Sequence, residues 1–275
     1  MFQRSPGAVL FVSVMMMFHC AVYAHAQSGG TVTRVVPQIA VGSFDNGGTV
    51  YEAAFFITNL HSAPITISAN FYNPNGSAST VRYDAITQGE GGYVETSFSG
   101  TMPSITIPHR GMMFIDLSPR SPLGVINWAS FTGNGNFSVA TAFLVSDGNR
   151  DRLLSAVGVP SSAPDMREFV FPRIYDHEAG GDVGFAIVNT GSTSATITAT
   201  LRDLKGSVIV SKDLTLGARS HTAIFTRQFF GSSLMESDAT TFASLTFSSS
   251  APQFAALALF IQSGILTSLP VERLQ

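Results

Sequence analysis

Apolar residues recur along this chain with a period of two. In "APITISANFY" Ile65, Ile67, Ala69 and Phe71 alternate with Thr66, Ser68 and Asn70, and "SATITATLRD" repeats the device with Ala195, Ile197, Ala199 and Leu201. Successive side chains of a strand point to opposite faces, so this alternation marks a strand with one face buried. Similar runs recur about every ten residues, bounded by Asn, Gly, Pro and Ser, and helical spacing is nearly absent. The pattern predicts an all-β fold built of antiparallel β-sandwiches.

The two quoted strands are related by a shift of 130 positions, and the match runs back through FFITNLHS against FAIVNTGS. Phe55, Ile57, Asn59, Ser62, Thr66, Ile67, Ala69 and Gly76 reappear as Phe185, Ile187, Asn189, Ser192, Thr196, Ile197, Ala199 and Gly206. Further on, "PHRGMMFI" pairs with "GARSHTAI" at a shift of 109, "WASF" with "FASL", and "SVATAFLV" with "FAALALFI". The chain therefore reads as a tandem duplication: one domain over 31–160, a Ser/Pro-rich connection "PSSAPDMRE", and a second domain over 168–275. Each half is expected to fold as its own unit. The drop in shift from 130 to 109 leaves 21 additional residues in the first half, centred on "YDAITQGEGGYVETSFSGTM".

Pairs of sandwich repeats of this kind occur in secreted bacterial proteins. They share a Pro-x-hydrophobic first strand, a Gly-Gly turn, an Asn after the second strand, a PxxG-type turn and a closing "ALxF…LPV" hairpin. From about Arg34 to its end the chain resembles them, with Pro108-His109-Arg110-Gly111 at the PxxG-type turn of the first half and Leu216-Gly217-Ala218-Arg219 at that of the second. The resemblance implies two tandem Ig-like β-sandwich domains in an exported protein, and carries no catalytic residue.

Export is also read from the first residues. Arg4 precedes an apolar run from Gly7 to Phe18 and the small-residue site Ala24-His25-Ala26, the order of a signal peptide over 1–26. That run is shorter than the ~20 residues a membrane-spanning helix needs, so no span is expected. The chain after Ala26 holds no cysteine, since Cys20 is the only one, and it must stabilise itself by burial without disulfides. The expected location is extracellular or periplasmic. Of 15 basic residues Arg4 is removed with the leader, and 14 remain against 18 acidic ones. Lys205 and Lys212 are the only lysines and no stretch gathers several Arg, which argues against nucleic-acid binding.

Candidate chemistry centres on "YDHEAGGDVGF", where Asp176, His177 and Glu178 adjoin and Asp182 follows. A zinc site would need ligands converging from several elements, and no second His lies four residues from His177. Aligned halves place Gly180-Gly181 opposite Gly47-Gly48, and Asp or Asn beside paired Gly is what a turn with positive φ favours, so a polar turn is expected. His61, His109, His177 and His221 fall at turns or strand starts, read as solvated positions. "GNGNFS" at 133–138 and "SDGNRD" at 146–151 read as hairpin turns, since the second lacks a Glu at position 158 to complete a calcium loop. Trp128 aligns with Phe242 and is expected to be a buried aromatic. "FTRQFFGSSLMES" is expected to hold a short helical turn, with Phe229 and Phe230 plugging an end of the second sandwich.

The first-half insertion is either a binding loop or an extra hairpin covering a sheet edge. As a loop, its Tyr83 and Tyr93 are the candidate ligand-binding residues. The sequence thus points to a non-catalytic binding, adhesion or structural module that needs no cofactor and meets a protein or glycan partner at the cell surface. The alternatives are carbohydrate recognition through the insertion, and a metal-dependent hydrolase at Asp176, His177 and Glu178.

Overall fold

The computed structural model describes residues 30–89, 92–119, 123–176, 178–235 and 240–274. The fold is all-β and its ladders are antiparallel. The first half contributes β1 (Val32–Phe44), β2 (Thr49–Asn59), β3 (Ile65–Tyr72), β4 (Arg82–Gly89), β5 (Gly92–Ser99), β6 (Thr101–Ile107), β7 (Met112–Pro119), β8 (Val125–Gly133), β9 (Phe137–Asp147) and β10 (Leu153–Pro160). The second contributes β11 (Glu168–Ile174), β12 (Asp182–Asn189), β13 (Ala195–Arg202), β14 (Val208–Leu216), β15 (His221–Phe225), β16 (Phe242–Ser248), β17 (Phe254–Gln262), β18 (Ile265–Leu269) and β19 (Glu272–Arg273). Two short helices, α1 (Thr226–Phe230) and α2 (Ser232–Met235), lie between β15 and β16.

The pairing order of the first half recurs in the second. Strands β1-β8-β3-β6 correspond to β11-β16-β13-β14, and β7-β2-β9-β10 to β15-β12-β17-β18. In the first half β1 belongs to both layers. It pairs with β8 up to Val41, is bulged between Val36 and Ile39, and then pairs with the start of β2. Between the layers sit two aromatic clusters: Phe55 and Phe131 meet edge-on at 5.2 Å, and Phe185 and Phe247 do the same at 5.3 Å.

The shared turns have one chemistry. Asn59 and Asn189, both fully buried, end β2 and β12. The Asn59 side-chain amide donates to the carbonyls of Ala63, Ile107 and Pro108 at 2.8–3.1 Å, and that of Asn189 to Thr193, Leu216 and Gly217 at the same range. The Asn59 side-chain oxygen accepts from the His61 N–H, as that of Asn189 does from Gly191. One amide thus ties the carbonyls of two loops together in each half, adding to the bonds that the Pro108 and Gly217 carbonyls accept within their own turns.

The halves pack on one another. Ala186 and Leu257, on the outer face of β12 and β17, belong to the hydrophobic core of the first half, while Val188 and Ala255 join Val35, Trp128 and Tyr72 in a separate cluster. This explains why β12 and the first half of β17 are buried almost without interruption. Polar contacts fix the register. Val35 and Ser162 exchange backbone bonds of 2.9 and 2.7 Å, the His221 N–H donates to the Pro74 carbonyl at 2.8 Å, and the Leu266 N–H to the Ser155 hydroxyl at 2.9 Å. Gly76 (φ +86°) permits a close approach, since a Cβ there would stand 2.3 Å from the Ala218 carbonyl oxygen.

Candidate functional site

The acidic cluster that the sequence singles out is divided between two structural tasks. The Asp176 carboxylate accepts from the backbone N–H groups of Glu178 and Ala179 at 2.9 and 3.0 Å, closing the turn, and also from the Gln262 side chain. Gly180 in this turn has φ +68°, as the polar-turn reading requires. Glu178 is exposed, and His177 lies outside the described residues. Asp182 points inward instead. It accepts from the Thr226 hydroxyl at 2.6 Å and the Arg227 N–H at 3.1 Å, and lies 3.8 Å from the guanidinium of Arg173. Arg173, with no exposed side-chain surface, donates to the carbonyls of Met235 and Thr240. Burial lowers its pKa and the Asp182 charge opposes that shift. This buried pair ties α1 and α2 over the end of the second sandwich, where Phe229 meets Phe185 edge-on at 5.6 Å. Among the described residues no three His, Cys, Asp or Glu converge as a metal site would need.

The insertion forms the hairpin β4–β5, which extends the sheet past β7. Tyr83 is fully buried, and its ring packs on Phe71 and Phe98. Its hydroxyl accepts from the Asn127 amide at 2.6 Å, and burial raises its pKa. It cannot meet a ligand as the loop reading expects, because the hairpin turns this side chain into the core. The backbone of Tyr93 pairs with Gln88 in the same hairpin, and its side chain lies outside the described residues.

Two further expectations are corrected. His221 is not solvated: it is 8% exposed, because the start of β15 is pressed against the 73–77 turn of the first half. Trp128 is buried as expected, but its counterpart is Ser244 rather than Phe242. Ala69 and Ala199 lie opposite Phe131 and Phe247, and Trp128 and Ser244 each stand three residues before those rings. Trp128 is buried against the second half, stacked on Tyr72 at 4.3 Å with its indole N–H donated to the Arg219 carbonyl at 3.0 Å. Phe242 is 56% exposed.

Two surfaces among the described residues bear on recognition. The first is the outer face of β7, β2 and β9. Phe56 and Phe114, half-buried, are cross-strand partners with ring centroids 5.1 Å apart, and Met112 beside them is 53% exposed. The acidic rim is Asp116 and Glu52, with Arg150 3.6 Å from the Glu52 carboxylate. Burial, with help from the Glu52 charge, raises the Asp116 carboxyl above its usual range. The equivalent positions of Phe56 and Ala140 in the second half, Ala186 and Leu257, are covered by the first half. The second surface is a cleft of ≈ 260 Å³ where the halves meet, lined by Thr33, Tyr72, Trp128, Ser130, Thr190 and Arg219 among others.

No family model and no curated relative matches the chain. Among solved structures, a β-glucuronidase from glycoside hydrolase family 2 is similar at 9% identity and a TM-score of 0.21, over 91% of this chain, which spans 31% of that protein's length. The tandem CBM22-1–CBM22-2 domain of Paenibacillus barcinonensis Xyn10C is similar at 9% identity and a TM-score of 0.19, over 91% of this chain and 95% of that one. A Pleurotus ostreatus lectin is similar at 9% identity and a TM-score of 0.14, over 91% and 83%. Similarity of this order carries no functional assignment.

Proposed function

We propose that the protein is an exported, non-catalytic binding module made by duplication of one sandwich, and that its recognition face is the open outer face of β7, β2 and β9. The observation that supports this most directly is the contrast between the halves. The same sheet face is consumed by the inter-half contact in the second half and left open in the first, where it carries Phe56, Phe114 and Met112. The engagement of Asp176 and Asp182 in a turn and a buried ion pair also favours recognition over catalysis.

Carbohydrate is the ligand class this face suits best. Half-buried rings offer apolar area to the C–H face of a pyranose, and the neighbouring carboxylates of Glu52 and Asp116 accept from its hydroxyls. A glycan array followed by affinity electrophoresis in soluble polysaccharides tests this. Phe114→Ala and Glu52→Gln should each weaken retardation by roughly tenfold, the loss of about 1.4 kcal/mol. Leu204→Ala, 82% exposed on the second half, should leave it unchanged. Absence of any glycan ligand would remove the carbohydrate reading, and retention by all three variants would remove this face.

A further inference from the structure

We propose that the cleft between the halves is a second binding site, built for the carboxylate of a single acidic sugar. The cleft is composite. Thr33, Tyr72 and Trp128 come from β1, β3 and β8, whereas Thr190 and Arg219 come from the second half, so it is complete only when the halves are docked. At ≈ 260 Å³ it falls just below the ~300 Å³ at which pockets for drug-sized ligands begin, which suits one sugar ring and not a chain.

Arg219 is the group that selects the ligand. Its main chain is held from two sides: the N–H donates to the Gly191 carbonyl at 3.0 Å, and the carbonyl accepts from the Trp128 indole. Its backbone is left-handed, φ +55°, a conformation a non-glycine residue adopts at some cost. The guanidinium lies 6.0 Å from the centroid of Tyr72, a ring itself stacked on Trp128, and it has no carboxylate within ion-pair distance among the described residues. An exposed cation beside an aromatic stack, on a main chain held from both halves and with its planar donor fork unspent, is matched by a carboxylate. The hydroxyls of Thr33 and Ser130, half-buried and without intramolecular partners among the described residues, supply the polar contacts that a polyol ring needs. Arg110 provides the internal comparison. It occupies the same turn of the first half, is exposed and equally left-handed at φ +53°, and lies outside the cleft.

The site is separate from the open face of β7, β2 and β9, so either reading can fail without the other. Calorimetric titration of the full chain with sodium glucuronate, and with glucose as the neutral comparison, tests it. Saturable binding in the millimolar range is expected for glucuronate, at least about tenfold tighter than for glucose and weakened by salt. Arg219→Asn, a residue that tolerates positive φ, should remove this preference with the melting temperature retained, while Arg110→Asn should keep it. Thr33→Val, on the opposite wall, should weaken glucuronate binding several-fold by a change in the other half. Equal affinity for glucose and glucuronate, no saturable binding, or an Arg219→Asn variant that binds as the parent does would each overturn the proposal.

Discussion

Two kinds of buried polar side chain stand in contrast at the scale of single residues. Asn59 and Asn189 spend their amides on three carbonyls each and hold the loops of both halves. His221 does the opposite, for neither of its ring nitrogens has a hydrogen-bond partner among the described residues. Burial pushes its pKa from 6.5 down to about 4, so the folded protein holds it neutral. The unfolded chain takes up the proton near 6.5, and between that pH and 4 it binds more protons than the native state. Stability from this group is therefore present above 6.5 and is lost as the pH falls to 4, by about 3 kcal/mol in all. Urea midpoints across this range should drop less steeply for His221→Leu than for the parent. Parallel curves would show that the imidazole is solvated after all.

Single elements show where sequence patterns inform and where they fail. Alternation located β3 and β13 because each has one face inside and one outside, and the paired Gly located the turn before β12 because only a positive φ closes it. The misassigned partner of Trp128 has a simple cause: a register slip of two residues keeps every side chain on its own face, so a hydrophobic pattern cannot detect it. The same limit hid the contact between the halves, since "FAALALFI" reads alike for a strand buried on one crowded face or on both. Neither open surface was visible, because cross-strand neighbours such as Phe56 and Phe114 lie far apart in sequence and only the register joins them. The hairpin β4–β5 was open to two readings, and they differ in energy. As a structural element it delivers Tyr83 and Phe98 to the core of the first half, and the Tyr83 hydroxyl accepts from the buried Asn127 side-chain NH2 group. Replacing 81–100 with a short turn, as the second half has, removes two buried rings, and cavities of that kind cost about 3–5 kcal/mol each. The expected result is a large fall in thermal stability or loss of soluble protein. A shortened chain with the parent's melting temperature would make the segment a dispensable loop.

For the whole molecule, the question is whether two similar halves behave as two bodies or one, and the equivalent positions decide it. The face that the first half presents to the second carries Val35, Tyr72 and Trp128; the corresponding residues of the second half are Val170, Arg202 and Ser244. The face that receives it carries Ala186, Val188, Ala255 and Leu257, and the first half has Phe56, Thr58, Ser138 and Ala140 in those places. Each half is thus apolar on the side that meets the other and more polar at the equivalent positions of its opposite side. Separating the halves would expose Val188, Ala255 and Leu257, which are at most 4% exposed when docked, and would strip cover from the core of the first half. Calorimetry of the intact chain should therefore give one transition whose van't Hoff and calorimetric enthalpies agree. Val188→Asp, which buries an unpaired charge in the contact, should lower that single transition by several kcal/mol or split it in two. Two transitions in the parent that match those of the separately expressed halves would mean that the contact contributes nothing to folding, and with it the composite cleft would lose its support.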